Sequence, residues 1–128
     1  MNSIDSQITF CGVADLERTS RFWNEIMDLP MVLDQGTCRI YHTTGNAYLG
    51  FCQRDDVSVG DQIILTIVSD EVDVWHDRLL KNGVHIEHPP RTNPAYGIYH
   101  FFARDPDGYR VEIQRFQDAD WNAAIEQP

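Results

Sequence analysis

The sequence repeats one order of elements, and this repeat constrains the fold more than any single motif does. In each half, the residues favour a strand, then a helix, then three short strands. The halves also have similar residues where the first strand ends, Val13-Ala14-Asp15 in one and Val68-Ser69-Asp70 in the other. One such unit cannot bury both faces of its sheet, whereas two can. We therefore predict an α+β fold in which two paired β-α-β-β-β modules form a curved mixed sheet around a cleft, with helices on the convex face.

The module boundaries follow from composition. Residues 54–61 are polar and end in glycine, which predicts a linker near the midpoint of the chain. The modules then span approximately residues 6–53 and 62–117, and a short C-terminal tail covers 118–128. Because 128 residues fit one compact domain, we predict that residues 1–128 form a single domain.

Capping residues mark the two main helices. Asp15 is the predicted N-cap of the first helix, and Pro30 ends it. In the second module, Ser69 or Asp70 is expected to cap the helix, and Gly83 is expected just past its C-terminus.

Runs of β-prone residues between turn residues predict the strands. The tail is expected to add one short capped helix, and the proline-rich stretch before the closing hairpin is expected to be a rigid loop. The predicted strands are 6–13, 31–33, 38–42, 47–52, 62–68, 84–87, and the two arms of a hairpin at 98–103 and 110–116; the loop is 89–94 and the tail helix 118–125.

The closing hairpin carries the charged residue that says most about a possible binding site. Asp105-Pro106-Asp107-Gly108 predicts its turn, because proline presets φ, aspartate accepts from nearby backbone N–H groups, and glycine tolerates positive φ. The strand after the turn carries Glu112 between Val111 and Ile113. A carboxylate in an apolar strand faces either water or a group that needs a charge.

Composition excludes several classes of protein. The net charge of −10 leaves no basic face for a nucleic-acid duplex. No run approaches the roughly 20 apolar residues of a membrane span, and the N-terminus has no signal-peptide pattern. Cys11, Cys38 and Cys52 form no C-x-x-C pair and are odd in number, so we expect buried, unpaired cysteines and a cytoplasmic protein.

Several motifs together resemble the vicinal-oxygen-chelate superfamily, which includes glyoxalase I, extradiol dioxygenases, fosfomycin-resistance transferases and bleomycin-resistance proteins. The resemblance covers nearly the whole chain and implies the paired-module fold. The matching segments are Val13-Ala14-Asp15-Leu16-Glu17-Arg18 with Phe22-Trp23, Leu79 with Asn82-Gly83-Val84, and Asp105-Pro106-Asp107-Gly108 with Glu112.

The resemblance also implies where a divalent metal would bind. The last-strand ligand of the metal-using members matches Glu112, and the first strand of the second half offers Gln62, which alternation places on one face with Ile64 and Thr66. The corresponding first strand of the first half places Ile8 at the ligand position. Since tight sites for such ions take three or four donors, no metal is favoured; if one binds, Glu112 and Gln62 are its expected ligands.

Six residues are the candidates for binding a ligand. Glu112 is the central candidate. Arg110 lies on the same strand face and is expected either to neutralise Glu112 or to bind an anionic ligand. His100 is a candidate acid, base or hydrogen-bond donor, and aromatic residues are expected to wall the cleft. The pair His85-x-x-His88 is not expected to bind metal, because residues three apart on a strand point to opposite faces. The six are Glu112, His100, Arg110, Phe102, Gln62 and Tyr48.

These observations favour a cytoplasmic small-molecule binding protein that lacks the standard metal centre and forms a homodimer. Its ligand is expected to be a cationic or aromatic compound, which the protein sequesters. Whether the chain is an enzyme stays open. The alternatives are a divalent-metal-dependent lyase, isomerase, glutathione transferase or dioxygenase of the same superfamily, and a non-catalytic interaction domain.

Overall fold

The computed structural model describes residues 3–126 and has the predicted α+β class. The chain divides into two compact units, Met1–Val59 and Gly60–Pro128. Each unit contains its own mixed sheet, in which the first strand is parallel to the last strand of the module. No helix within residues 3–126 is long and apolar enough to cross a membrane.

In the first unit a four-stranded sheet has the order β1-β4-β3-β2, with β1 parallel to β4 and the other pairs antiparallel. Its elements are β1 (Gln7–Val13), α1 (Leu16–Ser20) continuing as π-helical turns over Arg21–Ile26, β2 (Met31–Asp34), β3 (Cys38–Thr44) and β4 (Ala47–Gln53).

The first helix begins as predicted. The carboxylate of Asp15 accepts hydrogen bonds from the backbone N–H groups of Glu17 and Arg18. The helix buries Trp23, whose ring stacks on Phe51 of β4 at a centroid distance of 5.3 Å. This packing holds the helix against one face of the first sheet.

A disulfide in the first unit corrects the expectation of unpaired cysteines. Cys38 and Cys52 lie directly opposite each other in β3 and β4 and are bonded to each other. Cys11 is buried and is not part of a disulfide, as predicted. The expectation failed because the pairing depends on the register of two strands. A cytoplasmic location stays a prediction, and its support from unpaired cysteines is lost, since disulfides persist in oxidising compartments.

In the second unit the sheet has the order β5-β9-β8-β6, and β7 also pairs with β8. Strand β5 is parallel to β9, and the other pairs are antiparallel. The elements are β5 (Ile64–Val68), α2 (Val72–Lys81), β6 (His85–Ile86), β7 (Arg91–Asn93), β8 (Ile98–Arg104), β9 (Arg110–Phe116) and α3 (Ala119–Glu126).

The second helix ends as predicted but begins differently. Gly83 has φ of +73° just past the helix, where a residue with a side chain would be strained. The N-cap residue of this helix is Glu71 rather than Ser69 or Asp70. The hydroxyl of Ser69 instead accepts from the backbone N–H of Glu71, which orders the turn before the helix.

The short strand β7 corrects the prediction of a loop at 89–94. Arg91, Thr92 and Asn93 pair with His100, Tyr99 and Ile98 of β8. The polar residues between prolines carry no strand pattern of their own, so the pairing comes from the tertiary contact with β8.

The closing hairpin has the predicted turn. The buried carboxylate of Asp105 accepts from the backbone N–H groups of Asp107 and Tyr109. Gly108 has φ of +96°, the positive value expected of it. The turn sets the register of β8 and β9, and thereby decides which of their side chains share a face.

Candidate functional site

One face of the second sheet gathers the candidate residues around Glu112. Glu112 in β9 lies directly opposite Thr66 in β5 and Phe102 in β8. His100, two residues before Phe102, lies opposite Gln114. Because directly opposed residues point to the same side of a sheet, the side chains of these residues meet on one face.

Glu112 is held by two hydrogen bonds from its neighbours. The hydroxyl of Thr66 donates to Oε1 at 3.0 Å, and Nδ1 of His100 lies 2.7 Å from Oε2. Both His100 and Glu112 are buried. A carboxylate can only accept, so Nδ1 of His100 carries the hydrogen and Nε2 is the ring nitrogen left for another partner.

A cavity of about 520 Å³ lies over this face. Its walls are mostly aromatic and aliphatic, with a few polar groups, which is the usual composition of a small-molecule site. It is lined by Ile64, Asn93, Tyr96, Ile98, His100, Phe102, Glu112, Gln114 and Phe116.

The polar groups of the cavity are amides, one imidazole, one phenol and one carboxylate. Gln114 is buried beside His100, and Asn93 enters from β7. Neither a lysine nor an arginine is among the described residues that line the cavity. The wall therefore offers hydrogen bonds but no permanent positive charge.

Arg110 has a different partner from the one predicted. Its Nε donates to Oε2 of Glu87 at 2.9 Å, not to Glu112, and its guanidinium lies 3.7 Å above the ring of Phe102. Glu87 also pairs with Arg104 at 3.4 Å. The prediction that Arg110 neutralises Glu112 was wrong because Glu112 is satisfied within the sheet by His100 and Thr66. The guanidinium of Arg110 instead stacks on Phe102, a residue of the cavity wall, on the same face of the sheet as Glu112.

The charges around Glu87 shift its pKa. Burial raises the pKa of this carboxyl, but the hydrogen bond from Arg110 and the charges of Arg110 and Arg104 outweigh burial. The pKa of Glu87 is therefore below its ordinary value, and the carboxylate stays charged beside the cavity wall.

Like Arg110, two more of the six candidates are not among the residues that line this cavity. Gln62 is exposed in the turn before β5, and the prediction that it belongs to this strand was wrong. Ile64 is the β5 residue that lines the cavity. Ile64 and Thr66 do share one strand face, as predicted. Tyr48 lies in β4 of the first unit, where its ring is 5.2 Å from that of His42.

Sequence reasoning missed His88 as a neighbour of the site. Its ring centroid lies 5.3 Å from that of His100 and 5.6 Å from that of Phe102. Its Nδ1 is 2.8 Å from the carbonyl oxygen of Pro89. His85 is exposed in β6, so the two histidines do not converge. His88 lies in the bend after β6, where the backbone N–H of Glu87 donates to the carbonyl oxygen of Phe102, and no sequence pattern marks this contact.

The residues around Glu112 do not fit the divalent-metal centre that the resemblance implies. Both carboxylate oxygens are engaged by donors of the protein, and Gln62 lies outside β5. Over the part of the chain that the structure describes, no three histidine, cysteine, aspartate or glutamate side chains converge to hold an ion. Such centres take three or four donors, so this donor set is insufficient.

Solved structures share this fold at low sequence identity. A lactoylglutathione lyase from Agrobacterium tumefaciens is 24% identical with a TM-score of 0.70, covering 91% of this chain and 96% of that chain. A glyoxalase/bleomycin resistance protein/dioxygenase from Nocardioides is 13% identical with a TM-score of 0.76, covering 93% and 87%. A glyoxalase-related enzyme from Fulvimarina pelagi is 21% identical with a TM-score of 0.72, covering 90% and 88%.

At these identities the structural likeness shows the fold alone. No curated protein matches the sequence. A family model matches residues 7–113, which is most of the chain and includes both modules. The chain therefore belongs to the Glyoxalase/Bleomycin resistance protein/Dioxygenase superfamily.

Proposed function

We propose that the cavity over the second sheet binds a small molecule with a flat, apolar body, and that this binding does not use the standard metal centre of the superfamily. The observation that carries the proposal is a cavity of about 520 Å³ whose wall contains the buried His100–Glu112 pair. A buried polar pair costs stability, and a few polar groups in an apolar pocket are the usual means by which a protein orients a ligand.

The composition of the wall defines the ligand. Tyr96, Phe102 and Phe116 offer faces on which a planar group stacks. His100 and Gln114 offer hydrogen bonds to a polar end of the ligand. Among the described residues of the wall, Glu112 is the only carboxylate and there is no lysine or arginine, so a neutral or cationic compound fits better than a polyanion.

The charge of the whole protein supports a sequestering role. A net charge of −10 raises the local concentration of cationic compounds near the surface. We propose that the protein binds such compounds, or neutral aromatic ones, and holds them without changing them.

We propose that the chain acts as a homodimer. Strand β2 is an edge of the first sheet, and Met31, Val32 and Leu33 along it are all exposed. An exposed apolar edge strand is a common place for chains to associate. Light scattering should report a dimer for the protein and a monomer for Val32→Lys if this strand is the contact.

Calorimetric titration of protein stripped with a chelator tests the binding proposal. The ligands are naphthalenes that carry a methyl, a trimethylammonium or a sulfonate group, together with cationic glycopeptide antibiotics. We expect the neutral and cationic naphthalenes to bind and the sulfonate to bind at least about tenfold more weakly.

Two variants make the titration specific. Phe102→Ala should weaken binding, whereas Phe10→Ala, which removes an exposed aromatic ring of the first sheet, should not. The proposal fails if none of the compounds binds or if both variants bind as the parent does. Stoichiometric metal in the untreated protein that Glu112→Gln abolishes would support the metal-dependent alternative instead.

A further inference from the structure

The geometry points to an acid–base unit in the cavity. We propose that His100 accepts a proton from a weakly acidic hydroxyl group on the ligand, of the phenol or enol class, while Glu112 and Thr66 act as positioning residues. The inference rests on the proposed function, because it requires that the cavity bind a small molecule.

Three side chains in series fix the direction of the imidazole. Thr66 donates to one oxygen of Glu112 at 3.0 Å, and the other oxygen lies 2.7 Å from Nδ1 of His100. The carboxylate cannot rotate without losing one of these bonds. The tautomer of His100 is therefore set, and its Nε2 lone pair is the acceptor that a ligand can use.

Ring contacts also restrain His100. Its ring meets that of Phe102 edge-on, with centroids 5.0 Å apart and planes at 80°, and that of His88 with centroids 5.3 Å apart and planes at 67°. The side chain of His100 is 5% exposed. An imidazole restrained in this way loses little freedom when a ligand binds, which is the condition for efficient proton transfer.

The charge balance favours a ligand that gives up a proton. When a proton is placed on Nε2, the N–H group at Nδ1 already lies 2.7 Å from the carboxylate of Glu112, which stabilises the positive ring through a charge-assisted hydrogen bond. In the step, the O–H bond of the ligand breaks, its electron pair stays on oxygen, and an N–H bond forms at Nε2. The new N–H then donates to the anionic oxygen, and Gln114, opposite His100, has an amide N–H₂ group that donates as well.

This balance selects the class of ligand. The aromatic walls fit a ring, and the acid–base unit fits a hydroxyl group whose anion the ring stabilises. An ether of the same ring fills the same space but has no proton to give. A pair of such compounds therefore separates occupation of the cavity from transfer of the proton.

The test uses p-nitrophenol and 4-nitroanisole with chelator-treated protein. The visible absorption of p-nitrophenol reports ionisation directly. We expect bound p-nitrophenol to be ionised at a pH at which the free compound is mostly protonated, and to bind about tenfold more tightly than the ether, as a charge-assisted hydrogen bond provides.

Variants of His100 and Thr66 test whether the ionisation of p-nitrophenol depends on the acid–base unit. His100→Gln should bind both compounds equally and without the phenolate absorption. Thr66 lies in β5, an end strand of the sheet order, and Thr66→Val removes only the hydroxyl that donates to Glu112. This variant should lower the affinity for p-nitrophenol about threefold and leave that for 4-nitroanisole unchanged.

NMR of the free protein adds a test that needs no ligand. Long-range ¹H–¹⁵N spectra should show hydrogen on Nδ1 of His100 and none on Nε2 when the ring is neutral. An unprotonated Nδ1, or p-nitrophenol that binds without ionising while 4-nitroanisole also binds, overturns the acid–base unit and leaves the proposed function standing. If neither compound binds while Nδ1 is protonated, the proposed function itself fails and the inference falls with it.

Discussion

The two sheets have the same strand order but use matching positions in opposite ways. Each has a strand that pairs in parallel with the first strand of its unit, β4 in the first and β9 in the second. Strand β4 carries Gly50 opposite Phe10, and a Cβ on Gly50 would lie 2.4 Å from the ring of Phe10. Strand β9 carries Glu112 opposite Thr66. An aromatic ring covers the first position, and a carboxylate held by hydrogen bonds occupies the second.

The difference continues two residues further along the same strands. Cys52 lies opposite Cys38 and is covalently bonded to it, whereas Gln114 lies opposite His100 and both line the cavity. The first face is built from groups that stabilise a fold. The second retains buried polar groups that cost stability, and such exceptions mark functional sites.

The largest effect should come from breaking the buried pair in the second sheet. His100→Phe leaves the carboxylate of Glu112 buried without its main partner, and we expect the free energy of unfolding to fall by about 4 kcal/mol. Urea denaturation at neutral pH measures this.

The matched control removes both members of the pair. His100→Phe with Glu112→Leu should recover at least half of the loss, because an apolar pair of similar volume does not have to desolvate a charge. A loss below about 1 kcal/mol for the single variant would mean that the pair is exposed to water, contrary to its burial.

The next effect concerns the disulfide of the first sheet. It joins cysteines 14 positions apart, and removing the link should lower the free energy of unfolding by about 3 kcal/mol through the freedom regained by the unfolded chain. Cys38→Ser with Cys52→Ser, compared in urea with the parent, measures the loss. Ligand affinity should not change. A reductant should not change the free energy of unfolding of the double variant any further. A large further change would point to an effect of Cys11.

A smaller effect should follow a methyl group added to the first sheet. Gly50→Ala forces the ring of Phe10 to move, and we expect a loss of about 1 kcal/mol in the free energy of unfolding. In a Phe10→Ala background the same change should be neutral or stabilising, because the ring is gone and alanine restricts the unfolded chain. Equal losses in both backgrounds would contradict the role given to Phe10.

The smallest effect is a dependence on pH. The pKa of Glu87 lies below its ordinary value because the hydrogen bond and charge of Arg110 outweigh burial, so its contribution is present above the ordinary pKa and is lost as pH falls through the lower, folded value. We expect less than about 1 kcal/mol from this group. Urea midpoints on an acid series should show a weaker decline for Glu87→Gln than for the parent.

Glu17 of the first unit provides the matched control. Its carboxylate pairs with Arg39 at 2.6 Å, but its side chain is 72% exposed, against 24% for Glu87. Glu17→Gln should therefore change the acid series less than Glu87→Gln does. The reverse order would contradict the role given to the pairing of Glu87 with Arg110.

The features predicted correctly are those that depend on residues close in sequence. Asp15 caps its helix, Gly83 ends the next one, and Asp105 orders the hairpin turn through bonds to residues two and four positions on. The short strand β7 and the later start of β5 depend on neighbouring strands instead. Local propensity does not contain that information.

The site shows the same limit. The apolar flanks of Glu112 mark it in the sequence, but alternation along the strand predicts Arg110, two residues away, as its partner. The partner is His100, which the register of β8 on β9 brings to the carboxylate, and the Cys38–Cys52 pair depends on register in the same way. Single-sequence alternation identifies faces and not cross-strand neighbours.

The division of roles between the sheets is most directly tested by mapping where a ligand binds. Backbone ¹H–¹⁵N spectra of the chelator-treated protein would be recorded while p-nitrophenol is added. The largest shifts are expected on His100, Phe102 and Gln114, and the signals of Phe10 and Gly50 are expected to stay unchanged. Shifts that cluster on Phe10 and Gly50 while those of β8 and β9 stay constant would contradict this division of roles.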